Sequence, residues 1–230
     1  MILNFQQIFL LFFFGAIGSV KDQSAGCDSL YYFKNKVEVT FLKYNAKGDK
    51  TGKDIGNIEE ISESNGILKS TYHLTKLDIN NKVIEKSAAD ISCDRTGLKI
   101  GFQIPGELTE NSKNMFYSYP SNMVVGQSLE GNLSFNVKSI IKGKKTDIFF
   151  SISNRKVVAE EKTKVPFGIF DTFKIQYDLQ VKFKFLGLSI PMNLKIYEWY
   201  CPKLGIIKTE GYNKDGKLEE TSVLYSIVTK

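Results

Sequence analysis

The sequence predicts an all-β protein built on one large, curved, mostly antiparallel sheet. Helical periodicity is nearly absent, whereas apolar and polar residues alternate with a period of two in many segments. Clusters of Asn, Gly and Asp separate these segments at the spacing of hairpins. One alternating segment, residues 173–185, would extend about 40 Å at about 3.3 Å per residue, which is typical of a large sheet.

This long segment predicts a strand with one apolar and one polar face. Its apolar positions are Phe173, Ile175, Tyr177, Leu179, Val181, Phe183 and Phe185, and its polar positions are Lys174, Gln176, Asp178, Gln180, Lys182 and Lys184. A shift of one residue in register would bury the charged set. We therefore expect this strand to be the central element of the sheet, with its apolar face toward the core.

Ten further strands follow from shorter alternations, and hairpin turns separate them. The predicted strands are Val37–Lys43, Leu68–Leu77, Val83–Ile91, Gly97–Gln103, Ser134–Ile141, Asp147–Ser153, Lys156–Thr163, Met192–Tyr200, Gly205–Glu210 and Thr221–Val228. Residues that tolerate positive φ lie at 45–48, 80–81, 142–144, 153–155 and 213–216. Two turns share the form Tyr-Asn-x-x-Gly, which either a duplication or independent selection of turn residues would produce.

The segment Pro105–Pro120 interrupts the alternation. It is polar and helix-capable, with an apolar end formed by Met115, Phe116, Tyr117 and Tyr119. We expect a short helix or loop packed on the concave face of the sheet. An ordinary crossover loop anchored by its aromatic residues is the alternative.

The N-terminus predicts export. Ile8–Val20 is an apolar run of 13 residues, shorter than the roughly 20 needed to span a bilayer, and Ala16 and Gly18 fit a cleavage site after Gly18. We interpret residues 1–18 as a signal peptide and residues 19–230 as a single antiparallel β domain. A buried N-terminal strand or helix is the alternative. The expected location is the periplasm or the cell surface.

Lipidation of Cys27 is not expected. Ala25-Gly26-Cys27 matches the end of a bacterial lipobox, but that motif normally adjoins the apolar run. Here Lys21, Asp22 and Gln23 intervene. The mature protein is therefore predicted to begin near Ser19 without a lipid.

The charge distribution and the cysteines limit which binding partners, disulfides and metal sites are expected. The chain has 31 Lys and Arg and 25 Asp and Glu, which gives a net charge of +6. This charge is spread along the chain, which argues against nucleic-acid binding. Weak attraction to an anionic lipid or polysaccharide remains a possible interaction. The three cysteines, Cys27, Cys93 and Cys201, allow one disulfide, and their spacing does not select the pair. A metal site is not expected, because His73 is the single histidine.

No arrangement of residues predicts catalysis. His73 lies in a mid-strand stretch, and the sequence has no Gly-x-Ser-x-Gly elbow, phosphate-binding loop or EF-hand. The adjacent glutamate pairs are predicted to point to opposite faces of strands. The sequence therefore predicts a non-enzymatic protein without a cofactor.

Aromatic residues suggest a ligand site. The 17 Phe and 11 Tyr residues lie largely in alternating strands. A concave apolar face would hold a lipid or other amphiphile, and the candidate residues are Phe173, Tyr177, Phe183, Phe185, Met192 and Trp199, with Phe116 contributed by the covering segment. The alternative is that these side chains simply form the core.

Several blocks resemble the TapB-like family of exported bacterial proteins of unknown function. They are residues 122–129 (NMVVGQSL), 154–157 (NRKV), 165–171 (VPFGIFD), 198–208 (EWYCPKLGIIK) and 212–218 (YNKDGKL), together with 27–33 (CDSLYYF) and 92–94 (SCD). The resemblance covers nearly all of the mature chain.

The resemblance implies a half-barrel like that of the lipoprotein carriers LolA and LolB, around a hydrophobic concavity, and hence ligand binding. It also favours a Cys27–Cys93 disulfide, because both residues match family positions and Cys201 does not. The chain departs from the family at Thr172, where members often carry Cys, and at Cys201, where they carry a small residue.

Two functions of different classes follow. The first is an envelope protein without a transmembrane span that binds a hydrophobic or amphiphilic ligand. The second is an interaction or scaffold module with a closed core, which engages another envelope protein.

Overall fold

The computed structural model describes residues 26–103, 116–141, 144–185 and 188–230. The predicted fold class is confirmed, because the described residues form an antiparallel sheet of twelve strands with only two short 3₁₀ helices, Cys27–Ser29 and Tyr31–Phe33. The predicted signal peptide lies outside the described residues.

The strands follow the chain in order. They are β1 (Val37–Asn45), β2 (Lys50–Ser64), β3 (Ile67–Asp78), β4 (Val83–Asp94), β5 (Gly97–Gln103), β6 (Phe116–Pro120), β7 (Leu133–Ile141), β8 (Lys144–Val165), β9 (Gly168–Phe185), β10 (Leu188–Cys201), β11 (Gly205–Asn213) and β12 (Leu218–Thr229).

The sheet curls until it nearly closes into a barrel. Its strand order runs from β6 back to β1, continues with β12 and ends at β7. Between β6 and β8, the segment 124–130 supplies backbone hydrogen bonds: the Val157 amide donates to the Gln127 carbonyl at 2.9 Å, and the Ser118 amide donates to the Glu130 carbonyl at 3.4 Å. This segment therefore links the two sides of the sheet.

Strand β9 contains the long alternating segment, and the predicted faces are largely confirmed. Ile175, Tyr177 and Val181 are buried, whereas Lys182 on the other face is exposed. The predicted central position is wrong, because β9 is third from the β7 edge of the sheet. Sequence alternation defines the faces of a strand but not its place among its neighbours.

Two further predictions are corrected. The predicted turn at 153–155 is a bulge inside β8, where Asn154 has φ 59° and the chain stays extended because it pairs with β9 on both sides. Of the segment Pro105–Pro120, the last five residues form β6, in which Tyr117 pairs with Ile100 and Tyr119 with Leu98. Residues 105–115 lie outside the described residues.

Strand β2 was not predicted, because glycines replace apolar residues at two of its inward positions. At Gly56, an added Cβ would lie 2.0 Å from the hydroxyl of Tyr72, whose ring covers the glycine. The Tyr72 ring also packs edge-on against Tyr32, with centroids 5.6 Å apart. Close contact with an aromatic ring, rather than a turn, explains this glycine.

We expect Gly56→Ala to lower the free energy of unfolding by about 1–3 kcal/mol, because the added methyl group overpacks a buried contact. Chemical denaturation measures the loss. Lys53→Ala on the same strand is the matched control. The double variant Gly56→Ala with Tyr72→Leu should lose less stability than the sum of the two single variants. If the losses in unfolding free energy are purely additive, the Tyr72 ring does not cause the strain.

Residues 27–33 form a plug at one end of the barrel, which we call the plug end. The Tyr31 hydroxyl donates to the Ile206 carbonyl at 3.2 Å, and the Ser70 hydroxyl donates to the Tyr32 carbonyl at 2.6 Å. A disulfide joins Cys27 of the plug to Cys93 of β4, with Cα atoms 5.9 Å apart. This is the pair that the resemblance favours, and Cys201 is a buried free thiol.

Three tight turns lie together at the opposite end, which we call the turn end. In each, a side-chain oxygen at the first position accepts two backbone N–H bonds: Asn45 from Lys47 and Asp49, Asp78 from Asn80 and Lys82, and Asn213 from Asp215 and Lys217. Such turns preserve the twist of the hairpins that they close.

Candidate functional site

The barrel interior is identified by a contact between β6 and β10, which are distant in the sheet, and by the side chains that share its face. The Tyr119 hydroxyl of β6 donates to Glu198 Oε2 of β10 at 3.0 Å, and the Tyr177 hydroxyl of β9 donates to Glu198 Oε1 at 3.0 Å. The face of β9 and β10 that carries Tyr177 and Glu198 is therefore the interior. Lys174 and Trp199 also pair with each other, one position away from the Ile175–Glu198 pair. Because successive residues of a strand point to opposite faces, Lys174 and Trp199 lie on the exterior face.

A buried charged network occupies the middle of the interior. The Arg155 side chain is fully buried, and its Nη1 donates to the carbonyls of Ser118, at 3.1 Å, and Glu130. Its Nη2 lies 4.0 Å from Glu198 Oε2, and its guanidinium lies over the Tyr117 ring at 4.4 Å. These contacts connect β6, β8, β10 and the segment 124–130.

The surroundings of Glu198 in this network shift its pKa. Burial raises the pKa of Glu198 above its ordinary value, and Arg155 and the two tyrosine hydroxyls offset only part of this effect. Arg155 Nε and Nη2 have no hydrogen-bond partner among the described residues. A salt bridge so deep in a core is costly to form, and removal of one partner would leave the other as an uncompensated buried charge.

Toward the turn end, the interior face of β7 to β10 becomes an apolar wall that is only partly covered. The Phe135 and Phe150 rings stack with centroids 5.2 Å apart. Leu179 and Leu194 face each other and are half-buried, and Met192, opposite Val181, is 44% exposed. We call this surface the apolar wall (Phe135, Phe150, Leu179, Val181, Met192, Leu194).

The interior face of β1 to β4 and β12 is charged at the same end. Lys43 Nζ lies 3.6 Å from Glu220, and Lys76 Nζ lies 2.9 Å from Glu85. We call these four residues and Asp54 the charged wall, and the two walls together the mouth. The barrel thus has an amphipathic mouth.

Asp54 is the least satisfied group of the charged wall. Its Oδ1 is buried and has no hydrogen-bond partner among the described residues. Burial raises the pKa of Asp54, and Lys43 and Lys76 act in the opposite direction. A buried acceptor without a donor is costly, so this oxygen would accept a hydrogen bond from a bound polar group.

The structure divides the sequence-predicted ligand residues between two faces. Phe173, Tyr177 and Met192 lie on the interior face, whereas Trp199 and Phe116 lie on the exterior one. Phe183 and Phe185 continue β9 toward the turn end, at positions of the same parity as Tyr177. The predicted set therefore does not line a single concavity, although part of it borders the mouth.

Trp199 is buried although it lies outside. Its side chain is 3% exposed, and Nε1 donates to Glu161 Oε1 at 2.6 Å. Nearby, the tip of the β8–β9 hairpin reaches β12, where the Phe167 amide donates to the Leu224 carbonyl at 3.3 Å. Packing by this hairpin explains how an exterior position becomes enclosed.

Sequence reasoning missed Asp54, Glu198 and Arg155. A signal existed for Glu198, because it interrupts the apolar series Leu194, Ile196 and Tyr200 of β10. Asp54 occupies an inward position between two glycines, so the residue pattern carries no comparable signal.

A family model described as DUF3108-like matches residues 35–224. The chain belongs to this family. The DUF3108-like match starts just before β1 and ends within β12, so it includes both walls of the mouth and the Arg155–Glu198 network. The family description names no catalytic activity.

Two solved structures share the DUF3108-like chain's fold. One is a candidate exported protein of Bacteroides fragilis with a YmcC-like fold, with a TM-score of 0.65 and 19% identity, covering 85% of this chain and 96% of that one. The other is a candidate lipoprotein of Parabacteroides distasonis, with a TM-score of 0.68, 19% identity and the same two coverages. At this identity, the likeness concerns the fold alone.

A curated relative matches a shorter part of this DUF3108-like chain. It is a nucleoside triphosphate pyrophosphatase of Prochlorococcus marinus, 30% identical over 116 residues. The match covers 50% of this chain and 52% of the relative, so the chain spans about half of that protein's length.

Within the described ranges, no group of three or more His, Cys, Asp or Glu side chains is placed to hold a metal ion. None of the helices found there has the length and apolar character of a membrane span.

Proposed function

We propose that the protein is an exported, non-enzymatic protein of the cell envelope that binds a hydrophobic or amphiphilic ligand at the mouth of its barrel. The observation that carries this proposal is the division of the mouth into an apolar wall and a charged wall. An amphiphile places its chain against the first wall and its head group against the second.

The apolar wall supplies the ligand-facing surface. Met192 and the half-buried Phe135, Phe150, Leu179 and Leu194 leave apolar area accessible inside the sheet, where water contact is unfavourable. Apolar pockets with a few polar groups are typical of small-ligand sites. Of the residues expected from sequence, Met192, Phe183 and Phe185 belong to this proposal.

The charged wall selects the head group. Lys43 and Lys76 already pair with glutamates, whereas Asp54 Oδ1 has no partner among the described residues. A head group that carries a hydroxyl or ammonium donor satisfies this oxygen. The proposed ligand is thus a single-chain or small amphiphile with a hydrogen-bond donor at its polar end.

The proposed location rests on the N-terminal sequence and on the names of the two structural relatives, which are a candidate exported protein and a candidate lipoprotein. Cleavage after Gly18, an unlipidated Cys27 and the TapB-like and LolA-like relations stay predictions. The pyrophosphatase activity of the curated relative is not transferred, because half of that relative is unmatched.

We expect Met192→Glu to weaken binding of lysophosphatidylethanolamine, whose ammonium group is a hydrogen-bond donor, at least about tenfold, because a charge on the apolar wall opposes burial of the acyl chain. Native mass spectrometry and displacement of a fluorescent hydrophobic probe measure binding. Val228→Glu is the matched control, since Val228 is similarly exposed, at 52%, and lies near the plug end.

The alternative is a scaffold with a closed core, which the packed Arg155–Glu198 network and the plug favour. Pull-down from envelope fractions separates the two functions. A stoichiometric protein partner, with no lipid extracted from the purified protein and no probe binding, would replace the ligand proposal by this one.

A further inference from the structure

The exterior face of β8 to β11 carries a cavity. It is an open groove of about 720 Å³, within the usual size of ligand sites. Lys174, Asp178, Asn193, Lys195, Tyr197 and Tyr212 are among its lining residues. These six side chains lie on the opposite face of β9 and β10 from the apolar wall, although Leu179 and Leu194 of that wall also line the groove.

Aromatic rings form one part of the groove. The Tyr197 and Tyr212 rings meet edge to face, with centroids 5.5 Å apart. The Tyr212 hydroxyl donates to Glu210 Oε2 at 2.6 Å, and this bond raises the pKa of Tyr212 to about 12. The tethered ring therefore offers a fixed apolar surface beside the polar groups of the groove.

Hydrogen-bonding groups form the adjoining part. Asp178 accepts from Asn154 at 2.8 Å and from Lys195 at 2.7 Å, and the Gln180 amide donates to Asn193 at 2.8 Å. Burial alone would raise the pKa of Asp178, but the bonds from Asn154 and Lys195 hold it below its ordinary value. These planar amide and carboxylate groups match the neighbouring hydroxyls of a sugar ring.

The charge of the lining is positive. Among the described residues that line the groove, Lys174, Lys195 and Lys214 are basic and Asp178 is acidic, and Glu210 lies next to the lining through its bond with Tyr212. Lys195 is paired with Asp178, whereas Lys174 Nζ lies 4.7 Å from both the Tyr197 and the Trp199 ring centroids. Lys174 is also among the cations that hold the pKa of Glu210 below its ordinary value, so a bound anion would share this charge with Glu210.

We propose that this groove binds an acidic oligosaccharide. The tyrosine rings contact the C–H faces of the sugars, the amides and Asp178 bond their hydroxyls, and Lys174 and Lys214 pair with their carboxylate groups. A single nucleic-acid strand is disfavoured, because Asp178 lies among the cations that would follow its phosphates.

Trp199 provides the measurement. It is the only tryptophan of the chain, and Lys174 of the groove contacts its ring. We expect trigalacturonate to change the Trp199 fluorescence saturably, with a dissociation constant below about 1 mM. Maltotriose, which lacks carboxylates, should bind at least about tenfold more weakly, and added salt should weaken trigalacturonate binding.

Substitutions of groove residues test whether trigalacturonate binds in the groove. Tyr212→Ala and Lys174→Gln should each weaken binding at least about tenfold, measured also by calorimetry because Lys174 touches the reporter ring. The matched controls, Tyr225→Ala and Lys86→Gln, replace exposed residues on other strands and should leave binding unchanged. The proposal is overturned by absence of saturable binding at about 10 mM trigalacturonate, by equal loss in the controls, or by tighter binding of oligothymidylate.

Discussion

Replacing Arg155 by methionine is expected to lower the free energy of unfolding by about 3–5 kcal/mol. The guanidinium is buried, and its removal leaves the Glu198 carboxylate without a compensating charge, which is among the largest effects of a single substitution. It also removes the donors to the carbonyls of Ser118 and Glu130, which hold β6 beside the segment 124–130. Chemical denaturation measures the change.

The loss should depend on pH. Burial already gives Glu198 a raised pKa in the folded protein, so folding binds its proton more tightly and stability falls as pH rises above the unfolded value of about 4.3. Removing Arg155 removes an interaction that lowers this pKa. The destabilisation should therefore be larger at pH 8 than at pH 5.

Two comparisons isolate the cause. Adding Glu198→Gln to the Arg155→Met variant should restore part of the stability and remove the extra pH dependence. Lys162→Met is the matched control in the same strand, because the Lys162–Asp171 pair is exposed and should not affect the denaturation midpoint. A loss below about 1 kcal/mol for Arg155→Met would show that the core tolerates an isolated Glu198.

Reduction of the Cys27–Cys93 disulfide is expected to cost about 2–4 kcal/mol. The bond closes a loop with a sequence separation of 66 residues, for which chain entropy alone gives about 4 kcal/mol. It also fixes the plug, whose Tyr31 and Tyr32 are buried at the plug end. The midpoint of denaturation with and without reductant measures the effect.

Variants distinguish the disulfide from the free thiol. The double substitution Cys27→Ala and Cys93→Ala should lose stability and become insensitive to reductant. Cys201→Ala is the control, because it removes the free thiol and should keep the difference between oxidised and reduced protein. An unchanged midpoint on reduction of the unmodified chain would mean that the plug is held by packing alone.

Sequence patterns predicted the strands best where one face is continuously apolar. In β9, the series Ile175, Tyr177 and Val181 defined both the strand and its interior face. Strand β2 escaped prediction because Gly52 and Gly56 occupy inward positions, where backbone and the Tyr72 ring approach too closely for a side chain. A local sequence pattern indicates which positions are buried, but it does not indicate which neighbouring group buries them.

The location of the candidate sites was harder to predict from the sequence than the strands were. Trp199 and Tyr177 both belong to aromatic alternating strands, yet they lie on opposite faces because the β9–β10 register pairs Trp199 with Lys174. Asp54, Lys43 and Lys76 come from three adjacent strands and meet through the registers of the β1–β2 and β2–β3 pairs. Register and curvature arise from tertiary packing, so no single stretch of sequence encodes them.

The pairing of β1 with β12 has a consequence for folding. It places Val37 opposite Thr229, so the first and last strands are neighbours in the middle of the sheet. The strands β1–β6 and β7–β12 each pair with their neighbours along the chain, and in the sheet the two sets pair with each other through β1 and β12. Side chains across the interior, such as Tyr119 with Glu198 and Arg155 with the Ser118 carbonyl, also join them. Contacts of such long sequence separation slow folding. We therefore expect assembly of the two six-strand halves to be a late step, so that the barrel, its mouth and its buried ion pair form only after β12 has paired with β1.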